Sequence, residues 1–226
     1  VGKNCLASNT TGSDNTAFGF AALDGQSTAS DNSAFGAYAL TANSTGVRNT
    51  GLGRATLEAN TTGTDNTAVG HYALLNNTTG QWNTAVGTYA LDANTDGQTN
   101  SALGYGALGA NTGGDDNVAV GHEAMQSNTT GSQNIAIGRD ALEQNTTGGN
   151  NIAIGYLALD ANTTESNNIA IGSAALSAAT ASQRCTAIGS NAAAALTTGS
   201  RNIAIGVNAF QSATAAHDCV CIGEGA

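Results

Sequence analysis

The sequence predicts an all-β fold, a parallel β-solenoid (β-roll) of about thirteen 17-residue coils. Three observations predict it. The motif Asn-x-Ala-φ-Gly, with φ apolar, recurs from Asn15 to Cys219 at thirteen starts, each 17 residues after the last, without insertion or deletion. The fifth position of every repeat is glycine, from Gly2 and Gly19 to Gly206 and Gly223. Between motifs lies turn chemistry, Asn-Thr-Thr-Gly, as in 60–63 and 128–131. A period of 17 is too short for the helix pairs of helical repeats and lacks the pattern of leucine-rich repeats. Twelve complete repeats fill 15–218, with partial repeats at both ends, so 1–226 reads as a single repeat domain.

The composition fits a stack of short coils. The chain has 226 residues, 30 glycines, no proline, 10% charged and 4% aromatic residues, whereas ordinary globular domains carry about a quarter charged residues. The formal net charge of −10 argues against nucleic acid, which needs a basic footprint, and equally against anionic membrane surfaces. No run of about 18 apolar residues exists, so no helix is expected to insert in a membrane. The sequence opens and closes inside a repeat and reads as a segment of a longer protein, so the lack of a targeting signal decides nothing.

Each column of the repeat has its own chemistry. An obligatory glycine at position 5 implies positive φ or no room for a side chain. Position 4 is always apolar: Val1, Phe18, Phe35, Leu52, Val69, and Ile from Ile137 to Ile222. Position 2 is Thr or Ser early (Thr16, Ser33, Thr50) and largely Ile or Val later (Val118, Ile135, Ile152). In a strand, positions 2 and 4 share one face. The expectation is that this face is the coil's core, small position-2 residues compensating Phe18 and Phe35. Positions 1 and 3, Asn and Ala in eleven of thirteen starts each, then form the opposite face. That face is small and uncharged, and the expectation is that a sister copy covers it. Positions 8 and 9 read Ala-Leu, a second core column with Met125, Ala193 and Phe210 as variants. Position 13 is Thr or Ser in every coil, from Thr10 and Ser27 to Thr214, which predicts hydrogen-bonded Asn and Thr ladders along the axis. Coils stacked at about 4.8 Å give a rod near 60 Å long. So thin a core gains little burial per residue, which favours cyclic self-association.

These repeats resemble the head repeats of YadA-like trimeric autotransporter adhesins, through Asn134-Ile135-Ala136-Ile137-Gly138 and 151–155. The longer form, Asn66-Thr67-Ala68-Val69-Gly70 through Asn77-Thr78-Thr79-Gly80, is similar to 17-residue repeats of phage tail fibres and bacterial surface proteins. The resemblance covers the whole chain and departs in repeat length, since adhesin head repeats are commonly shorter. It implies a parallel homotrimer with the small-residue face toward the threefold axis, and an extracellular setting on a virion tail fibre or a bacterial surface. The expected role is a structural and adhesive rod, a stiff spacer with a part in host attachment. A solenoid binding glycan or ice along its side is the alternative.

Candidate sites are sparse. His217, Cys219 and Cys221 form H-x-C-x-C; on a face lining a trimer axis, three copies would converge on a metal or on interchain disulfides, whereas the plain reading is packing by small residues. Cys185 lies two coils from Cys219, too far to bond, and Cys5 sits in the position-8 packing column. His71 and His122 at position 6 read as turn residues without a nucleophile in reach. Carboxylates gather at position 10 (Asp24, Glu58, Asp92, Glu143, Asp160) and position 17 (Asp14, Asp31, Asp65, Asp116, Asp218). Without insertions to build a cleft they read as surface charge, not a glycosidase pair, and no enzyme activity or cofactor is expected. Tyr38, Tyr72 and Tyr89 share position 7, and with Trp82 they are the candidate surface contacts for a glycan or receptor. The consecutive threonines, Thr61-Thr62 and Thr78-Thr79, point apart and fit an ice-ordering face poorly. The sequons at Asn9, Asn43, Asn60, Asn77 and Asn128 read as turn caps rather than glycosylation sites.

Overall fold

A computed structural model describes residues 2–25 and 28–226; Val1 of the position-4 column and Ser27 of the position-13 column lie outside the described residues. The fold is an all-β parallel solenoid with one three-residue strand per coil, and no helix occurs among the described residues. The chain divides into two compact units. Unit 1, 1–115, holds β1 (Thr16–Phe18), β2 (Ser33–Phe35), β3 (Thr50–Leu52), β4 (Thr67–Val69), β5 (Thr84–Val86) and β6 (Ser101–Leu103). Unit 2, 116–226, holds β7 (Val118–Val120), β8 (Ile135–Ile137), β9 (Ile152–Ile154), β10 (Ile169–Ile171), β11 (Thr186–Ile188), β12 (Ile203–Ile205) and β13 (Val220–Ile222).

Within each unit successive strands pair in parallel and in strict register, Thr67 on Thr84 and Ile152 on Ile169. Stacking is not confined to the strands. In the coil of Asn66, Leu74 N–H donates to the Ala90 carbonyl (3.0 Å), and Thr78 N–H to the Thr95 carbonyl (2.9 Å). One short strand per coil is thus part of a backbone ladder that runs round most of the turn, which satisfies groups that an irregular segment would leave bare.

Two conformational features make a 17-residue circuit close. Position-5 glycines take φ of 128–145°. A Cβ on Gly87 would fall 2.3 Å from the Gly104 carbonyl oxygen of the next coil, so the column admits no side chain. Positions 7, 9 and 17 take the left-handed conformation with ordinary residues, as in Tyr72 (φ 61°), Leu74 (φ 51°) and Asp65 (φ 59°). Left-handed backbone costs roughly 1–2 kcal/mol per residue. At position 9 the cost is matched by complete burial of leucine, worth about 1.5–3 kcal/mol; Leu23, Leu40, Leu74 and Leu142 are all 0% exposed.

The interior corrects one expectation. Positions 1 and 3 point into the coil and positions 2 and 4 point out, the reverse of the predicted assignment. Asn134 and Ala136 are 0% exposed, whereas Ile137 at the end of β8 is 38% exposed and Phe18 is 57% exposed. The physical reason is lumen width. The coil already encloses an alanine and a leucine at positions 8 and 9, and little space remains for branched side chains from the strand. Alanine fits there, and asparagine fits because its amide is fully bonded. In the position-1 column Asn49 Oδ1 accepts from Asn66 N–H (3.1 Å) of the next coil, and Asn49 Nδ2 donates to the Gly63 carbonyl (2.8 Å) of its own. In the position-12 column Asn94 Nδ2 donates to Asn77 Oδ1 (2.7 Å) and Asn111 Nδ2 to Asn94 Oδ1 (2.9 Å). Real volume compensation occurs in this lumen: where Ala193 replaces the position-9 leucine, Leu196 replaces the position-12 asparagine, and both are buried.

The predicted threonine ladder is present. Thr61 Oγ1 donates to the Thr78 carbonyl (3.0 Å) and Thr78 Oγ1 to the Thr95 carbonyl (2.9 Å).

Candidate functional site

The outward face of each strand is the most extensive surface feature. Its residues at positions 2 and 4 are Thr, Ser, Val, Ile, Leu or Phe in all thirteen strands, with no charge. In unit 2 the exposed members include Ile137 (38%), Ile205 (36%) and Ile222 (67%), with Ile203 and Val220 beside them. Scattered apolar side chains are normal on a protein surface, but a contiguous rank of them marks a contact site. The chemistry of this face is burial, not catalysis.

A second feature lies beyond the glycine that ends each strand, at positions 6 and 7 of unit 1. Phe20 and Tyr38 meet edge to face at 5.3 Å between centroids. Arg54 stands 5.3 Å over the Tyr72 ring and donates from Nη1 to Tyr72 Oη (2.5 Å). Tyr72 lies 5.5 Å from Tyr89, and Tyr89 lies 5.9 Å from Tyr105. His71 packs on Tyr72 at 3.8 Å, with Nε2 3.2 Å from Arg54 Nη1. Of the candidate contacts, Tyr38, Tyr72 and Tyr89 therefore belong to one strip. Trp82, 55% exposed at position 17, makes no ring contact with it. Phe20, Arg54 and Tyr105 are absent from the candidates read from the position-7 column because they occupy position 6; the two columns read together disclose them.

A third feature was missed. His122 Nδ1 lies 3.4 Å from Glu123 Oε2 and 4.0 Å from Asp140 Oδ1, and the three are the one group among the described residues whose ligand atoms gather within 4.8 Å. The signal was two acids at position 7 of adjacent coils beside a position-6 histidine. Arg139 Nε sits 3.1 Å from Asp140 Oδ2, so a cation already neutralises the buried carboxylate. Burial first, then Asp160, Asp140 and Glu123, push the Glu143 carboxyl above the ordinary range. Burial, then Asp140, does the same to Asp160.

The H-x-C-x-C residues are placed differently from the expectation. Cys219 and Cys221 occupy positions 1 and 3, which face the lumen of their own coil rather than the outward face of the strands. Cys219 N–H donates to Asn202 Oδ1 (3.1 Å), and His217 Nδ1 accepts from Ser200 N–H (3.1 Å). All four cysteines are free. Cys185 replaces a ladder asparagine, and burial pushes its thiol up, which keeps it in the protonated, inert form. The sequon asparagines Asn43, Asn60, Asn77 and Asn128 are fully buried, with amides donating to carbonyls. Turn capping accounts for them.

Compared with known proteins, the chain matches no family model, no curated protein and no solved structure. The functional reading therefore rests on the geometry and on the repeat motifs.

Proposed function

We propose that the chain is a structural and adhesive rod: the stiff spacer of a homotrimeric fibre, either a phage tail fibre or a bacterial surface adhesin, acting outside the cell and taking part in host attachment. The observation that carries this reading is the uncharged outward face of the strands. Exposed Ile, Val, Leu and Phe at positions 2 and 4 recur in register from coil to coil, and covering them supplies burial that the narrow lumen cannot. The number three comes from the resemblance to trimeric adhesin repeats. The corrected orientation changes which wall is shared: the branched side chains, not the Asn/Ala wall, press against the sister copies.

Catalysis has little support from this geometry. The two carboxylate columns sit on a repeat without insertions, and no cleft-building loop interrupts it. The position-13 threonines give the ice-ordering alternative no added support, because their hydroxyls donate to carbonyls of the next coil. The test is the mass in solution by sedimentation or light scattering. A species of three times 22.2 kDa is expected; a clean monomer at micromolar concentration overturns the reading.

A further inference from the structure

We infer that the aromatic strip of unit 1 is a binding site for an extended, neutral, β-linked glycan. The strip is built from six consecutive coils, one ring or guanidinium to each: Phe20, Tyr38, Arg54, Tyr72, Tyr89 and Tyr105. Nothing in the lumen requires them. The interior is filled by Ala, Leu and Asn, and every one of these groups stands outside it. Phe20 is 43%, Tyr38 36% and Tyr105 47% exposed. Unit 2 has at these positions only one comparable pair, Arg139 at 5.8 Å from Tyr156, among the described residues.

The chemistry of the strip selects its ligand. Phe20 and Tyr38 are 5.3 Å apart and Tyr72, Tyr89 and Tyr105 follow at 5.5 and 5.9 Å, with Arg54 filling the coil between the two runs, a spacing close to the advance of one hexopyranose unit in an extended polysaccharide. A pyranose offers an apolar C–H face and a rim of hydroxyls, and it is matched by aromatic faces alternating with polar edges. Here the Arg54 guanidinium, the His71 imidazole and the tyrosine hydroxyls supply those edges. The rings hold one another in place, so little side-chain freedom is lost when a ligand arrives. Charge decides against an acidic glycan. Glu58 acts on Arg54 electrostatically, and the chain as a whole carries −10. A protein–protein contact would need a broader patch than this single file of rings.

The inference does not rest on the oligomeric reading, because all its residues lie within one unit of one chain. The experiment is calorimetric and NMR titration of the full chain with cellohexaose, with hexagalacturonate as the acidic counterpart. Cellohexaose binding is expected, with hexagalacturonate weaker. The double variant Tyr72→Ala, Tyr89→Ala should lose affinity by about tenfold or more, and Tyr105→Ala should lose less. Trp82→Ala, off the strip, should bind like the parent. The circular dichroism and thermal transition of each variant report whether the coil survives. Absence of cellohexaose binding, preference for hexagalacturonate, or parental affinity in both tyrosine variants overturns the inference. None of these outcomes bears on the mass in solution.

Discussion

The two units share one repeat and one backbone, yet they are held together differently. In unit 1 the position-12 asparagine column is unbroken from Asn43 to Asn111, and the outward position 2 is always Thr or Ser. In unit 2 that column ends at Asn162 and continues as Ala179, Leu196 and Ala213, and the outward positions become Ile or Val in most strands. Unit 1 is stabilised from within by stacked amides. Unit 2 has exchanged part of its amide column for apolar side chains, much of them on the outward face of its strands. The lesson is that a fixed coil geometry tolerates two ways of supplying the same free energy, one internal and, on the proposed trimeric reading, one intermolecular.

The largest expected effect breaks the comparison at the outward face. Ile154→Asp in β9 places a charge where the proposed trimer buries an isoleucine, and an unpaired buried charge costs several kcal/mol. Dissociation to monomers is expected in sedimentation velocity. Val69→Asp in β4, beside the polar Thr67 rank, should loosen the assembly much less. Equal masses for parent and both variants would remove the outward face from the assembly.

A smaller effect is expected inside. Asn94→Ala removes a mid-column amide that bonds Asn77, Asn111 and the Gly97 carbonyl. It leaves buried oxygen without a donor, at a cost of about 2–4 kcal/mol. Asn162→Ala should cost about half as much. Asn162 ends the column, and its own Oδ1 is already buried without a partner because Ala179 follows. Urea denaturation of both variants checks the ratio; equal losses would mean that the ladder is not cooperative along the axis.

The fold class was legible because a 17-residue register and an invariant glycine leave few alternatives. The turn at Asn60–Gly63 and the Thr61 ladder were equally readable. The sidedness was not. The rule that branched aliphatics go inside assumes a core wide enough to receive them, and Ile135-Ala136-Ile137 obeys the opposite rule because the lumen takes only Ala beside Leu142. Nor did single columns disclose sites that span two columns. Tyr105 at position 6 meets Tyr89 at position 7, and His122 at position 6 meets Asp140 at position 7 of the next coil, because the turn brings the two positions together across coils.

The smallest effect sharpens the comparison through pH. In unit 2, Glu143 and Asp160 have folded-state pKa values raised first by burial and then by nearby carboxylates, Asp160, Asp140 and Glu123 acting on Glu143 and Asp140 on Asp160. A raised carboxyl binds its proton more readily in the folded chain, so its ionisation costs stability at neutral pH, and the cost disappears as pH falls through the folded value. At Asp65 in unit 1 the sign is opposite, as it is at Asp218 in unit 2, which Arg201 holds low in the same way. Asp65 is held below the ordinary range by its hydrogen bond from Arg48, so its contribution is present above the unfolded pKa and is lost as pH falls through the folded one. Glu143→Gln should therefore raise the thermal midpoint at pH 7, on the order of 1 °C for a side chain this exposed, with the gain shrinking toward pH 4. Asp65→Asn should lower the midpoint at pH 7 by a similar amount, with the loss shrinking as the pH falls. Thermal scans of both variants at pH 7 and pH 4 check the pair of signs. A Glu143→Gln gain that persisted unchanged at pH 4 would show that the carboxylate cluster is not what strains unit 2, and would leave the shortened asparagine column as the difference between the units.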